Sequence, residues 1–127
     1  MQQIYLDNAA TAFPKAPGVS DAMKYYLDAV GANINRSVYG RAQEAGLTTL
    51  KLREQLKEFF SFPEKATHVL LTPGNTAGLN MVIKGLLRPG DHVLVSSMEH
   101  NAVMRPLLQL QGVSFDRIPC NREGYLD

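Results

Sequence analysis

Residues 90–118 read GDHVLVSSMEHNAVMRPLLQLQGVSFDRI. His92 to Ser96 is a short apolar run behind the turn residues Arg88-Pro89-Gly90-Asp91, and it predicts a buried strand. Ala102 to Gln111 carries a helical pattern that Gly112 closes, and Val113 to Ile118 is a further strand-like run. A strand, a helix of about ten residues and another strand imply parallel pairing, because the crossover helix returns the chain to the same end of the sheet. The unit upstream repeats the theme. His68 to Leu71 predicts a strand, and Thr76 to Leu87 a helix with Leu79, Val82, Ile83 and Leu86 turned inward. The expected class is therefore α/β, with three parallel-type strands and flanking helices. Three strands make a thin sheet, so the expectation is an incomplete domain, the N-terminal part of a larger α/β unit.

The first half of the chain has a different rhythm. Val19, Ala22, Met23, Tyr26, Leu27 and Val30 recur at spacings of three and four and predict a helix stopped by Gly31. Residues 31–41 show no period and read as a loop. A longer helix is expected from about Arg41 to Phe60, with Ala45, Thr49, Leu52, Leu56, Phe59 and Phe60 on one face, and Ser61 and Pro63 closing it. This divides the chain into an N-terminal segment with helices, residues 1–63, and the start of a larger α/β domain, residues 64–127.

Composition narrows the function classes. The 127 residues are enough for one core, and 45% hydrophobic with 20% charged residues is ordinary for a soluble domain. A net charge of +1 with no basic block gives no electrostatic reason to expect a nucleic-acid partner. The longest apolar stretch, Gly78 to Leu87, is interrupted by Asn80, Lys84 and Gly85, so no membrane span is expected. The single cysteine, Cys120, permits no internal disulfide, and a cytoplasmic setting is the expectation.

In open parallel sheets ligands bind beyond the carboxyl ends of the strands. Two loops leave such ends here, Thr72 to Thr76 and Ser97 to Asn101. In the first, Gly74 allows close approach, while Asn75 and Thr76 bring main-chain N–H groups to a helix N-terminus, where the helix dipole favours an anion. The competing reading is that Asn75 or Thr76 simply caps the helix. In the second, His100 is either a solvated or capping residue, or a flat imidazole stacked on a planar cofactor and active in proton transfer. Phosphate donors and a stackable ring on one sheet edge together suggest a phosphorylated aromatic cofactor.

The stretches YLDNAATAFPKAP (5–17), GANINRS (31–37), TPGNTAGLN (72–80), KGLLRPGDHVLVSSMEHNAVMRPL (84–107) and RIPCNREGYLD (117–127) occur in that order. Together they resemble the cysteine desulfurase and selenocysteine lyase group of class V aminotransferases. The resemblance covers essentially the whole chain and corresponds to the first third or so of a family member. It implies a pyridoxal 5'-phosphate enzyme of fold type I, homodimeric at full length, acting on cysteine or a related amino acid and passing sulfur to an acceptor protein. Asn75 and Thr76 match the pair that holds the cofactor phosphate, and His100 matches the catalytic histidine that stacks on the pyridine ring. Asn8 to Thr11, centred on Ala9, match a segment bordering the substrate entrance. Asn33 and Arg36 match a loop near the active site that can contact a partner subunit.

This sequence departs from the family pattern at Ala77, where a glutamate often follows the phosphate-binding threonine. It departs again near Arg36, where a histidine is common and Asn35 and Val38-Tyr39-Gly40 stand instead. These changes leave substrate choice open. The family's cofactor-bearing lysine, pyridine-pairing aspartate, nucleophilic cysteine and substrate arginine belong to motifs that come later in the family order. Cys120 sits at the wrong place in that order to be the nucleophile. Lys15, Lys24, Lys51, Lys57, Lys65 and Lys84 do not suit the lysine role. The chain alone is therefore expected to be inactive. Two alternatives stay open: a class V aminotransferase or lyase with another amino-acid substrate, and a non-catalytic α/β module binding a phosphorylated ligand. The second lacks a G-x-G-x-x-G turn to support it.

Overall fold

The structure is a computed structural model that describes residues 4–34 and 38–126. The chain divides into two compact units, Met1–Leu70 and Leu71–Asp127.

In the first unit, α1 spans Val19–Tyr25 and continues as a wider π-helical turn over Tyr26–Val30. The widening has a local cause: the Gly31 N–H reaches back five residues to the Tyr26 carbonyl at 2.7 Å, and Gly31 ends the turn in the left-handed region at φ 44°. The Tyr26 hydroxyl donates to the Ala32 carbonyl at 2.9 Å, tying the loop to the helix that precedes it. Helix α2 spans Gly40–Phe59 and packs on this turn. Val30, Ala32, Ala42 and Ala45 are buried, so the core of this unit is small. The expected apolar face of α2 is covered at Ala45 only in part of its length. Leu52 remains 42% exposed and Phe59 79%, although the short Ala66–His68 turn also packs on α2.

The expected strand at His68 to Leu71 is not formed. Ala66–His68 is a short 3₁₀ turn, and Val69 is extended with φ −80° and ψ 110°. Extended backbone becomes a strand only when a neighbouring ladder takes up its N–H and C=O groups. Among the described residues none does so, and Leu70 and Leu71 stay largely exposed.

The second unit holds α3 (Asn75–Leu86), β1 (His92–Ser96), α4 (Asn101–Leu108) and β2 (Ser114–Ile118). β1 and β2 pair in parallel, with His92 opposite Ser114 and Ser96 opposite Ile118. The parallel pairing expected from the sequence is present, with two strands and not three. Val95, Met104 and Leu107 form the buried core, joined by Ile83, Leu87, Val93, Val113 and Phe115. Odd-numbered strand residues thus meet α4 and α3, as a two-residue period requires. Of the residues expected to point inward from α3, Ile83 reaches this core, whereas Val82 and Leu86 are exposed. Pro106 lies inside α4 with its side chain fully buried.

The turn before β1 fixes a close approach. Gly112 has φ 74°, and a Cβ there would stand 3.0 Å from Pro89 Cβ, while the Gly90 N–H donates to the Gly112 carbonyl at 2.7 Å. Asp91 steadies the same turn by accepting the Arg88 N–H at 2.7 Å. No helix among the described residues is long and apolar enough to cross a membrane.

Candidate functional site

The N-terminus of α3 is bare. Asn75 is the first helical residue, Gly74 occupies the cap position, and no side chain accepts from the first turn. Among the described residues the hydrogen bonds of that turn begin with the Gly78 N–H to the Gly74 carbonyl at 3.2 Å. Asn75 and Thr76 therefore do not cap this helix, and the capping alternative is set aside. The first-turn N–H groups and the positive end of the helix dipole are left for an external acceptor. Gly74 itself has extended backbone with φ 165°, and nothing lies within 4 Å of a Cβ built there. Neither strain nor crowding inside the chain demands glycine at that position. Thr72 Oγ1 donates to the Gly74 carbonyl at 3.0 Å and holds the loop.

The N-terminus of α4 is different. His100 is its N-cap, and its Nδ1 accepts the Ala102 N–H at 3.0 Å. An imidazole that accepts at Nδ1 carries its proton at Nε2 when neutral, so the cap fixes the tautomer as well as the ring position. The capping reading of His100 is correct as far as it goes, and it leaves the Nε2 edge uncommitted. Just before it, Ser96 Oγ donates to Glu99 Oε1 at 2.9 Å, which ties the loop to the end of β1.

Thr76 and His100 line one cleft of about 280 Å³. It is a groove between α3 and α4, which pack together. On one wall stand Thr76 and Asn80, one helical turn apart; on the other stand Asn101, Arg105 and Gln109 at the same spacing, with Ala102 and Pro106 beneath. Asn80 Nδ2 donates to the Thr76 carbonyl at 2.9 Å. Lys84, the next residue in the α3 row, donates to Gln109 Oε1 at 2.7 Å and joins the two walls. The lining includes an arginine, a histidine, amides and a hydroxyl, and no carboxylate, a set suited to an anion. A larger depression of about 490 Å³ on α2 is lined by Gln55, Leu56, Glu58 and Phe59 and offers no such convergence. Among the described residues no group of three or more His, Cys, Asp or Glu side chains is arranged to hold a metal.

The other sequence candidates fall elsewhere. Ala9 lies in an exposed turn of the first unit, where the Ala10 and Thr11 N–H groups both point at the Asp7 carbonyl and Asn8 Oδ1 accepts the Phe13 N–H at 3.1 Å. Asn33 is exposed in the loop that follows the π-helical turn. Arg36 lies outside the described residues. Cys120 is a free thiol in an isolated antiparallel bridge to Leu126, and it does not line the cleft. Asn80, Arg105 and Gln109 also line the cleft and are not marked by any motif. Their signal was the four-residue spacing in each helix, which becomes meaningful only once α3 and α4 are known to be neighbours.

The profile of the aminotransferase class-V family matches residues 4–127. The chain is 32% identical to cysteine desulfurase IscS of Dictyoglomus turgidum and 32% identical to cysteine desulfurase CsdA of Escherichia coli, over 99% and 98% of its own length. It spans 32% of each of those curated relatives. Among solved structures, the apo cysteine desulfurase of Thermococcus onnurineus NA1 superposes with a TM-score of 0.83 at 27% identity, covering 98% of this chain and 32% of that one. The structure of E. coli CsdA in its S-sulfonic acid form gives 0.74 at 31% identity, with 97% and 32% covered. The chain belongs to the class V aminotransferase family. Its fold is part of the type I pyridoxal-phosphate architecture, and that family depends on this cofactor. The residues of the cleft fit such a group: free N–H donors at the bare α3 N-terminus, a fixed imidazole, and no opposing carboxylate.

Proposed function

We propose that residues 71–127 form the phosphate side of a pyridoxal-phosphate site, and that the whole protein is a cysteine desulfurase, releasing sulfur from cysteine to give alanine. The observation that supports this best is the meeting of Thr76 and His100 in one cleft at an uncapped helix N-terminus. The relatives' names supply the amino acid and the reaction. Pyridoxal phosphate, when bound, supplies the electron sink that makes bonds at the amino acid's α- and β-carbons labile.

On this reading each local residue has a defined task. The N–H groups of Asn75 and Thr76, with the Thr76 hydroxyl, receive the phosphate oxygens where the α3 dipole favours them. His100 offers its ring face for stacking, and its cap bond to Ala102 keeps the ring from turning. The Nε2–H is then positioned to donate to a substrate or cofactor oxygen. Ala9, Asn33 and Arg36 are assigned to substrate binding. The reading also includes a homodimer, a sulfur-acceptor protein and a cytoplasmic setting, with neither nucleic acid nor membrane as partner. The boundary at residues 63 and 64 separates the N-terminal helices from the cofactor domain.

The test compares the purified protein with a Thr76→Ala/His100→Ala double variant. The parent is expected to hold pyridoxal phosphate, seen by its visible absorption, and, when the complete enzyme is assayed with an added dithiol as reductant, to release sulfide from cysteine. The double variant is expected to lose cofactor at least tenfold more readily, since a hydroxyl hydrogen bond to the charged phosphate and the stacked imidazole are both removed. Equal retention by both would refute the site.

A further inference from the structure

Within the site just proposed, a phosphate dianion would meet only neutral donors at the end of α3. Neutral N–H groups orient such an ion, but removing it from water without a compensating cation is unfavourable. Among the described residues the cleft contains one permanently charged side chain, Arg105.

Three observations single it out. First, Lys84 lies at the far end of the groove, where it is held by Gln109 at 2.7 Å. Second, the rung above it is unfilled: Asn80 turns its amide N–H to the Thr76 carbonyl, and no hydrogen bond or ion pair among the described residues engages Arg105. Third, the nearby carboxylate does not line the cleft, because Glu99 is turned to Ser96. Side chains on a helix lean toward its N-terminus. Arg105, exposed one turn inside α4, lines the same groove as Thr76 and His100.

We propose that Arg105 is a positioning residue that supplies the counter-charge for the cofactor's phosphate. The inference rests on the cofactor reading above. It assigns Arg105 to the phosphate and not to the pyridine ring, which makes it separable from that reading.

The experiment measures binding of pyridoxal 5'-phosphate and of pyridoxal, which lacks the phosphate, to cofactor-free protein by fluorescence at low and high salt. Parent, Arg105→Gln and Arg105→Lys proteins are compared. Arg105→Gln is expected to weaken pyridoxal 5'-phosphate binding about tenfold at low salt and to leave pyridoxal binding within about twofold, as expected for loss of a hydrogen bond to a charged group. Its salt dependence should flatten, because one screened attraction is gone. Arg105→Lys should recover part of the affinity, since the charge returns without the planar fork. An Arg105→Gln protein that binds the phosphorylated cofactor like the parent, with the same salt response, would overturn the inference and leave the site reading intact. Equal loss of pyridoxal binding would also overturn it, by showing a structural role. A parent that binds neither compound would refute the site reading, and this inference with it.

Discussion

His100 Nδ1 accepts the Ala102 N–H at 3.0 Å, so the residue matched to cofactor stacking also holds the first turn of α4. Alanine at this position removes two things at once. His100→Ala is expected to lower stability by about 1 kcal/mol through loss of the cap. His100→Asn is expected to keep that stability, because asparagine caps at least as well, while still lacking the ring. Urea unfolding and cofactor retention should therefore part company in the asparagine variant: near-parental midpoint, weakened retention. A His100→Asn protein with parental retention would show that the imidazole makes no contribution beyond the cap.

Gly112 and Gly46 should respond in opposite directions to the same substitution. Gly112→Ala places a Cβ 3.0 Å from Pro89 in a residue with φ 74°, and a loss of about 1–2 kcal/mol is expected from the left-handed backbone, with crowding added. Gly46 lies within α2 with nothing within 4 Å of its built Cβ. Gly46→Ala should gain about 0.5–1 kcal/mol by restricting the unfolded chain and improving helix propensity. Thermal unfolding of the two variants beside the parent checks both signs.

Tyr25 donates its hydroxyl to Glu44 Oε1 at 2.8 Å, linking α1 to α2. That hydrogen bond, and secondarily the carboxylate's negative charge, raise the phenol above its ordinary value. The folded value being the higher one, the contribution to stability is complete below the unfolded pKa and disappears as pH rises through the folded one. Glu44→Gln should move the Tyr25 titration back toward the ordinary range, as read by the ultraviolet absorbance of tyrosinate in alkali. An unmoved titration would mean that the pair does not persist in solution.

The helices and the parallel pair were legible because their signals are local. Val93 and Val95 alternate, α4 ends before Gly112, and each pattern is complete within a dozen residues. The run at His68 to Leu71 has the same local signature, yet a ladder needs a partner that no local pattern can report. His100 was legible as a ring before a helix, but its capping bond depends on a rotamer. Thr76 stands at a helix start that the sequence marks as an anion site or a cap, and only the structure shows that the start of α3 is uncapped. Arg105 was not legible, since its place opposite Asn80 exists only when two helices separated in sequence lie side by side.

The parallel register has a kinetic consequence. His92 and Ser114 are 22 residues apart, and every rung of the β1–β2 ladder closes across that same separation. An antiparallel hairpin lengthens its loop with each successive pair, whereas here the entropy of loop closure is incurred once, at whichever rung forms first. The Lys84–Gln109 link spans 25 residues, almost the same interval. Strand pairing and helix packing in this unit are therefore reached by searches of similar range, slower than the local contacts of a helical bundle. The contacts that join the walls of the groove thus span nearly the same length of chain as those that set the register of the sheet.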